Sequence, residues 1–140
     1  MKKKLYIGCS LTHLPAHEKE VFLEMISDLR RELEKNFEIL DFLGKGQAST
    51  ATPEEVYSFD IKTQVLQADC VLAVCDHPSL GLGYEIATAV ERKGIPVLAV
   101  AHKSRTVSRL IQGVDHENFN FFYYESVEEI IQKALEILTK

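Results

Sequence analysis

Short apolar runs alternate with longer amphipathic segments along these 140 residues, and that alternation predicts an α/β fold with a mainly parallel sheet. A second observation agrees. Asp69–Cys75 and Ile95–Ala101 are apolar almost throughout, as strands covered by helices on both faces must be.

Each element follows from local chemistry. Lys4–Cys9 is a short apolar run ending in Gly-Cys-Ser and reads as the first strand. His17–Lys35 places Val21, Phe22, Met25, Ile26, Leu29 and Leu33 on one helical stripe with charges between them. Phe37–Phe42 is the second strand, and Leu43–Thr52, rich in Gly, Ser and Thr, is a loop. Thr52-Pro53-Glu54-Glu55 combines an N-cap, a proline in the first turn and an acid at the third position, so a helix starts there and runs to about Gln67. Asp69–Cys75 is the third strand, with Asp69 in a structural role at its entry. A helix over Leu82–Lys93 is closed by Gly94 and followed by Pro96. Ile95–Ala101 is the fourth strand, Ser104–Gly113 a short helix or turn, Phe119–Tyr124 the fifth strand, and Ser126–Thr139 a final amphipathic helix. Neither a repeat nor a composition break divides the chain, so a single domain over residues 1–140 is expected.

Five strands in such a chain favour the flavodoxin-like order 2-1-3-4-5, a Rossmann-like three-layer sandwich. Ligands in these sheets bind where the strand order reverses, at the carboxyl ends of strands 1 and 3. Two loops are thereby selected, Gly8–His13 and Asp76–Gly83, before any chemistry is considered.

The totals narrow the function classes. A formal net charge of −5 argues against broad nucleic-acid binding, and Lys2-Lys3-Lys4 is the only lysine cluster. No apolar run reaches membrane-spanning length, and Leu5–Cys9 is too short for a secretory signal. Cys9, Cys70 and Cys75 form no CxxC pair and sit in apolar runs, which suggests buried reduced thiols in a cytoplasmic protein without a zinc site.

The stretch His77–Val100 carries the strongest chemical signal. In Pro78-Ser79-Leu80-Gly81-Leu82-Gly83, the two glycines let a ligand approach backbone N–H groups at a helix start, where the dipole favours anions. Glu85 stands just inside that helix; an acid there also serves the dipole alone, for a few tenths of a kcal/mol. Asp60 lies one turn after Val56 and is placed to project toward the sheet, where an unpaired carboxylate is costly. Tyr6 alternates with Leu5 and Ile7 in the first strand, which by itself suits a core residue. Ser10, Ser79 and Ser108 are singly capping residues, yet together around a glycine loop they can bind phosphate through neutral donors. The chain has no dinucleotide fingerprint, no Walker sequence and no GxSxG elbow. His13 and His17 share an i, i+4 spacing without supporting acids, so neither a metal nor another cofactor is expected.

Read together, Tyr6-Ile7-Gly8-Cys9-Ser10, Asp60, Ala68-Asp69, Pro78–Glu85 and Ser108–Gly113 resemble the nucleoside 2-deoxyribosyltransferase superfamily, most closely its 2′-deoxynucleoside 5′-phosphate N-hydrolases. The resemblance runs from about Leu5 to Tyr124, and the PSLGxGYE block is its specific part. It implies a flavodoxin-like fold and cleavage of an N-glycosidic bond. Glu85 is then the nucleophile toward the anomeric carbon, Asp60 assists near sugar and base, and Tyr6 orients the nucleophile. Gly8, Gly81 and Gly83 line the substrate loops. Ser10, Ser79 and Ser108 hold the 5′-phosphate, with Ser108 reaching across a homodimer interface. The superfamily's nucleoside transferases carry an acid where Ser79 stands, so the three serines favour a nucleotide monophosphate. One departure is clear: Leu11-Thr12-His13-Leu14 replaces an Ile-Arg-Gly-Gly type loop, removing an arginine for which His13 is a candidate substitute. The rival readings are a base-exchanging deoxyribosyltransferase, a ribonucleotide hydrolase and a nucleotide-binding module without turnover. The PGGxGTxxE phosphoribohydrolases are disfavoured because the loop lacks their double glycine and threonine.

Overall fold

The computed structural model describes residues 1–11, 14–40 and 50–140. His13, the last two residues expected in the second strand, and most of the expected Leu43–Thr52 loop lie outside the described residues. Five parallel strands, β1 (Lys3–Cys9), β2 (Phe37–Leu40), β3 (Cys70–Val74), β4 (Val97–His102) and β5 (Phe119–Tyr124), form one sheet in the order β2-β1-β3-β4-β5. The order and the parallel sense are those expected from the sequence. The register sets Leu5 beside Cys70 and Gly8 beside Ala73, and Val71 beside Val97. β3 and residues 97–101 of β4 are buried almost completely, which is why their sequences need no polar alternation.

Helix α1 (Ala16–Leu33) buries Phe22, Ile26, Leu29 and Leu33, the inner part of the predicted stripe. Each fully buried leucine stabilises the fold by about 2 kcal/mol. α1 lies against α5 (Val127–Leu138), whose Ile130, Ala134 and Leu138 enter the same core. α2 (Pro53–Tyr57) opens with the capping box read from the sequence: the Thr52 hydroxyl accepts from the Glu55 N–H at 3.1 Å, and the Glu55 carboxylate accepts from the Thr52 N–H at 3.0 Å. α3 (Leu80–Ala87) packs on β1 and β3, and a short α4 (Arg109–Gln112) follows β4. No helix among the described residues is long and apolar enough to cross a membrane.

Three details differ from the sequence expectation. The segment after α2 is not a regular helix to Gln67; it widens into a π-helical turn over Ser58–Gln64 and tightens into a 3₁₀ turn over Val65–Gln67. α3 likewise widens into a π-helical turn over Thr88–Lys93 before Gly94, at φ +65°, closes it in the left-handed region. Apolar spacing reveals that a segment is helical but not which carbonyl each N–H selects, so π turns escape a pattern reading. α3 also begins two residues early, at Leu80, because the Ser79 hydroxyl accepts from the Leu82 N–H at 3.1 Å and caps it. Asp69 has the structural role expected of it: its carboxylate accepts from the Lys4 N–H and its own N–H donates to the Lys4 carbonyl, each at 2.8 Å, pinning the entry of β1 to that of β3.

Candidate active site

Strand alternation turns Tyr6 and Gly8 to the same side of the sheet, and α3 crosses that side. The Tyr6 hydroxyl donates to Glu85 Oε2 at 2.6 Å in a buried environment. Gly8 is what allows the approach. A Cβ there would lie 3.0 Å from Leu82 Cδ1, 3.1 Å from Tyr6 Cε2 and 3.2 Å from Glu85 Oε1. Glu85 is only 8% exposed.

Burial lifts the Glu85 carboxyl to about 8; the Tyr6 hydrogen bond opposes that rise, and the negative charge of Asp60 adds to it. The Tyr6 hydroxyl is pushed well above its ordinary range, first by burial and then by the adjoining Glu85. It therefore remains a proton donor to the carboxylate. Asp60 sits in the π-helical turn after α2 and lines the same cleft as Glu85, a space of about 670 Å³ whose walls include Tyr57, Gly81 and Tyr84. A carboxyl so placed can give up its proton near neutrality, attack an electrophilic carbon and stabilise positive charge developing above it.

A second cleft, of about 660 Å³, lies on the other side of the first turn of α3 and contains Ser79, Gly83 and Ser108 beside the exposed Leu80 and Leu110. Both serine oxygens accept backbone N–H bonds there, Ser79 from Leu82 and Ser108 from Leu110 at 3.2 Å. Each hydroxyl proton is thus left to donate elsewhere. Ser10 is buried, and its hydroxyl has no hydrogen-bond partner among the described residues. Of the residues singled out in the sequence, Tyr6, Gly8, Asp60, Gly81 and Glu85 come together; Ser79, Gly83 and Ser108 gather in the neighbouring cleft.

Several polar groups at the strand ends were not singled out beforehand. The Tyr124 hydroxyl donates to the buried Asp76 at 2.7 Å, Glu18 pairs with Arg105, and His77 is buried with its ring edge-on to Phe22. Pairs that meet only across the fold leave no local spacing signal. Tyr57 could have been found, since it stands three residues before Asp60, one helical turn away. The cysteine thiols offer no nucleophile: burial pushes Cys9, Cys70 and Cys75 up to about 12. Among the described residues no group of His, Cys, Asp and Glu side chains is arranged to hold a metal ion.

No protein-family model matches the chain. A protein of Thermofilum pendens, provisionally named 2′-deoxynucleoside 5′-phosphate N-hydrolase 1, is 43% identical over 84 residues, 59% of this chain. That match covers 57% of the relative, so the chain spans little more than half its length. The 5-hydroxymethyl-dUMP N-hydrolase of Homo sapiens is 28% identical over 126 residues, covering 85% of this chain and 72% of that protein. Among solved structures, the CMP N-glycosidase BcmB of Clostridium botulinum superimposes with a TM-score of 0.69 over 96% of this chain and 99% of that one, at 22% identity, a likeness of fold. The chain is thus similar in its matched sequence to proteins named as N-hydrolases of 2′-deoxynucleoside 5′-phosphates and of 5-hydroxymethyl-dUMP, and in its fold to a CMP N-glycosidase.

Proposed function

We propose that the chain hydrolyses the N-glycosidic bond of deoxynucleoside 5′-monophosphates through a covalent sugar ester of Glu85. One observation carries the reading: a buried carboxyl, held at 2.6 Å by Tyr6, on the floor of a cleft that Asp60 also lines. Oε1 of Glu85, the oxygen not engaged by Tyr6, attacks C1′ of the sugar. The C1′–N bond breaks with its electron pair passing to the base, which takes a proton that the Asp60 carboxylate has drawn from solvent. The transition state is oxocarbenium-like, so the carboxylate stabilises the positive charge before trapping it. Water then adds to C1′, its oxygen forming the new bond and its proton passing to Asp60. Glu85 leaves as a carboxylate, and free base and deoxyribose 5-phosphate are released. The two steps parallel those of a retaining glycosidase.

The names of the similar proteins support this substrate class, since both relatives are named as N-hydrolases of nucleotides. Ser10, Ser79 and Ser108 are the phosphate-binding candidates, with Ser108 supplied by the second copy of a homodimer. Chromatography of free bases tests the reaction. The protein is incubated with each deoxynucleoside and its 5′-monophosphate, with and without a second base. Base release from monophosphates alone, indifferent to the acceptor and absent in Glu85→Gln, is the expected result. Base exchange on unphosphorylated nucleosides would make the protein a transferase, and full activity in Glu85→Gln would remove the nucleophile.

A further inference from the structure

Two large aromatic side chains stand open at the mouth of the Glu85 cleft. Tyr57, the last residue of α2, is 41% exposed, and Tyr84, on α3, is 54% exposed. Their ring centroids are 6.1 Å apart with the planes 69° apart, an edge-to-face pair. Each is tied in sequence to one of the two carboxylates. Tyr57 precedes Asp60 by three residues, one helical turn, and Tyr84 immediately precedes Glu85. The other described walls near them, Val56, Ile61 and Pro53, are apolar, and Asp60 and Glu85 are the only charged groups among the described residues lining the space.

The two rings are not equivalent. Lys62 Nζ lies 6.0 Å from the Tyr57 centroid, so one face of that ring is attended by a cation, whereas Tyr84 is the more open of the two. A centroid separation of 6.1 Å in an edge-to-face pair leaves no slot for a planar group between the rings. An incoming ring must lie on an open face, and Tyr84 offers the larger one. The exposure gradient fixes the direction: Glu85 is at the floor and the tyrosines are at the mouth. Displacement at C1′ sends the leaving group away from the attacking carboxylate, and therefore toward that mouth.

Resting on the glycosidic reading above, we propose that Tyr84 is the stacking platform for the leaving base and Tyr57 the buttress that holds it. The cleft then takes planar heteroaromatic leaving groups and favours purines, whose larger ring system covers more of the platform. Stacking of a base on an aromatic side chain contributes about 1–3 kcal/mol, roughly a 5- to 150-fold change in an equilibrium or rate ratio.

Selectivity is the measurement. kcat/KM is determined for purine and pyrimidine deoxynucleoside monophosphates with the parent, Tyr84→Ala, Tyr84→Phe, Tyr57→Ala and Tyr57→Phe. The expected result is a loss of about tenfold or more for the purine substrate in Tyr84→Ala, a smaller one in Tyr57→Ala, a flattened purine-to-pyrimidine ratio in both, and retention of the ratio in the phenylalanine variants. Equal losses on both substrates, or phenylalanine variants as damaged as the alanine ones, would overturn the proposal in favour of a structural role. A binding experiment separates this inference from the proposed reaction. The chain has no tryptophan, so tyrosine emission is readable. In Glu85→Gln, deoxyadenosine monophosphate should quench that emission where deoxyribose 5-phosphate does not, and Tyr84→Ala should abolish the difference. Quenching of this kind without turnover of any nucleotide by the parent would leave the platform standing and remove the hydrolase. No difference between the two ligands would overturn the platform whatever the enzyme turns over.

Discussion

Glu85 lies where a carboxyl is least comfortable: 8% exposed, facing a second carboxylate, with one phenolic hydrogen bond in compensation. Its rise to about 8 has consequences for stability as well as for chemistry. The folded state holds this proton more tightly than the unfolded state, whose glutamate titrates near 4.5. Below 4.5 both states are protonated and the group leaves stability unchanged. As pH rises from 4.5 toward 8 the unfolded chain ionises first, so folding stability falls, by an amount on the order of a few kcal/mol; above about 8 the decline stops. Glu85→Gln is neutral throughout. Denaturant titrations from pH 5 to 9 should show the parent losing stability relative to the variant, which becomes the more stable protein at the alkaline end. Parallel curves would mean that Glu85 titrates as an ordinary surface carboxyl. For catalysis the same group must be ionised in the free protein, so kcat/KM is expected to rise about tenfold per pH unit on the acid side and level near 8.

At the scale of elements, α3 does two jobs with one turn. Its cap, Ser79, satisfies the Leu82 N–H, while its first turn divides the Glu85 cleft from the cleft that contains Ser108. Ser79→Ala removes an N-cap and should cost about 1 kcal/mol of stability. It also removes the hydroxyl proton left to donate, so KM for monophosphates should rise by tenfold or so while nucleosides are unaffected. Chemical unfolding and paired kinetics read the two effects separately; an equal change on both substrates would assign Ser79 to capping alone. The sheet order and the cap at Thr52 were legible in the sequence because the alternation of elements and the capping box are written in local composition and spacing. The Tyr6–Glu85 contact was not, since it joins residues 79 positions apart; only the resemblance tied the two together. The π-helical turn that carries Asp60 was invisible too, because a change of hydrogen-bond register leaves the apolar pattern of Val56, Ile61 and Val65 readable as a plain helix. Nor did any spacing reveal that Ser79 and Ser108 divide from the carboxylates across α3.

That division matters for the whole molecule. In one chain Ser108 lines a cleft separate from that of Glu85, and the same cleft is flanked by Leu80 and Leu110, 97% and 80% exposed. Leucines so exposed gain about 2 kcal/mol each when covered, and a second copy placed against this face would bring its own Ser108 with it. The homodimer implied by the sequence resemblance would thereby complete each site from two chains. Leu110→Asp puts a charge at the centre of that face and should give a species of one-chain mass in analytical ultracentrifugation, with monophosphate hydrolysis lost and the fold retained by circular dichroism. Mixing two damaged variants decides how Ser108 serves. Glu85→Gln has no nucleophile, and Ser108→Ala binds monophosphates weakly. If Ser108 acts across the interface, a mixed dimer contains one site with an intact Glu85 and an intact Ser108, beside one that lacks both. Random assortment makes about half of the dimers mixed, so an equal mixture should recover about a quarter of the parent activity per site at low monophosphate concentration. If Ser108 acts within its own chain, every site in the mixture keeps a defect, and the activity stays at the mean of the two variants measured alone.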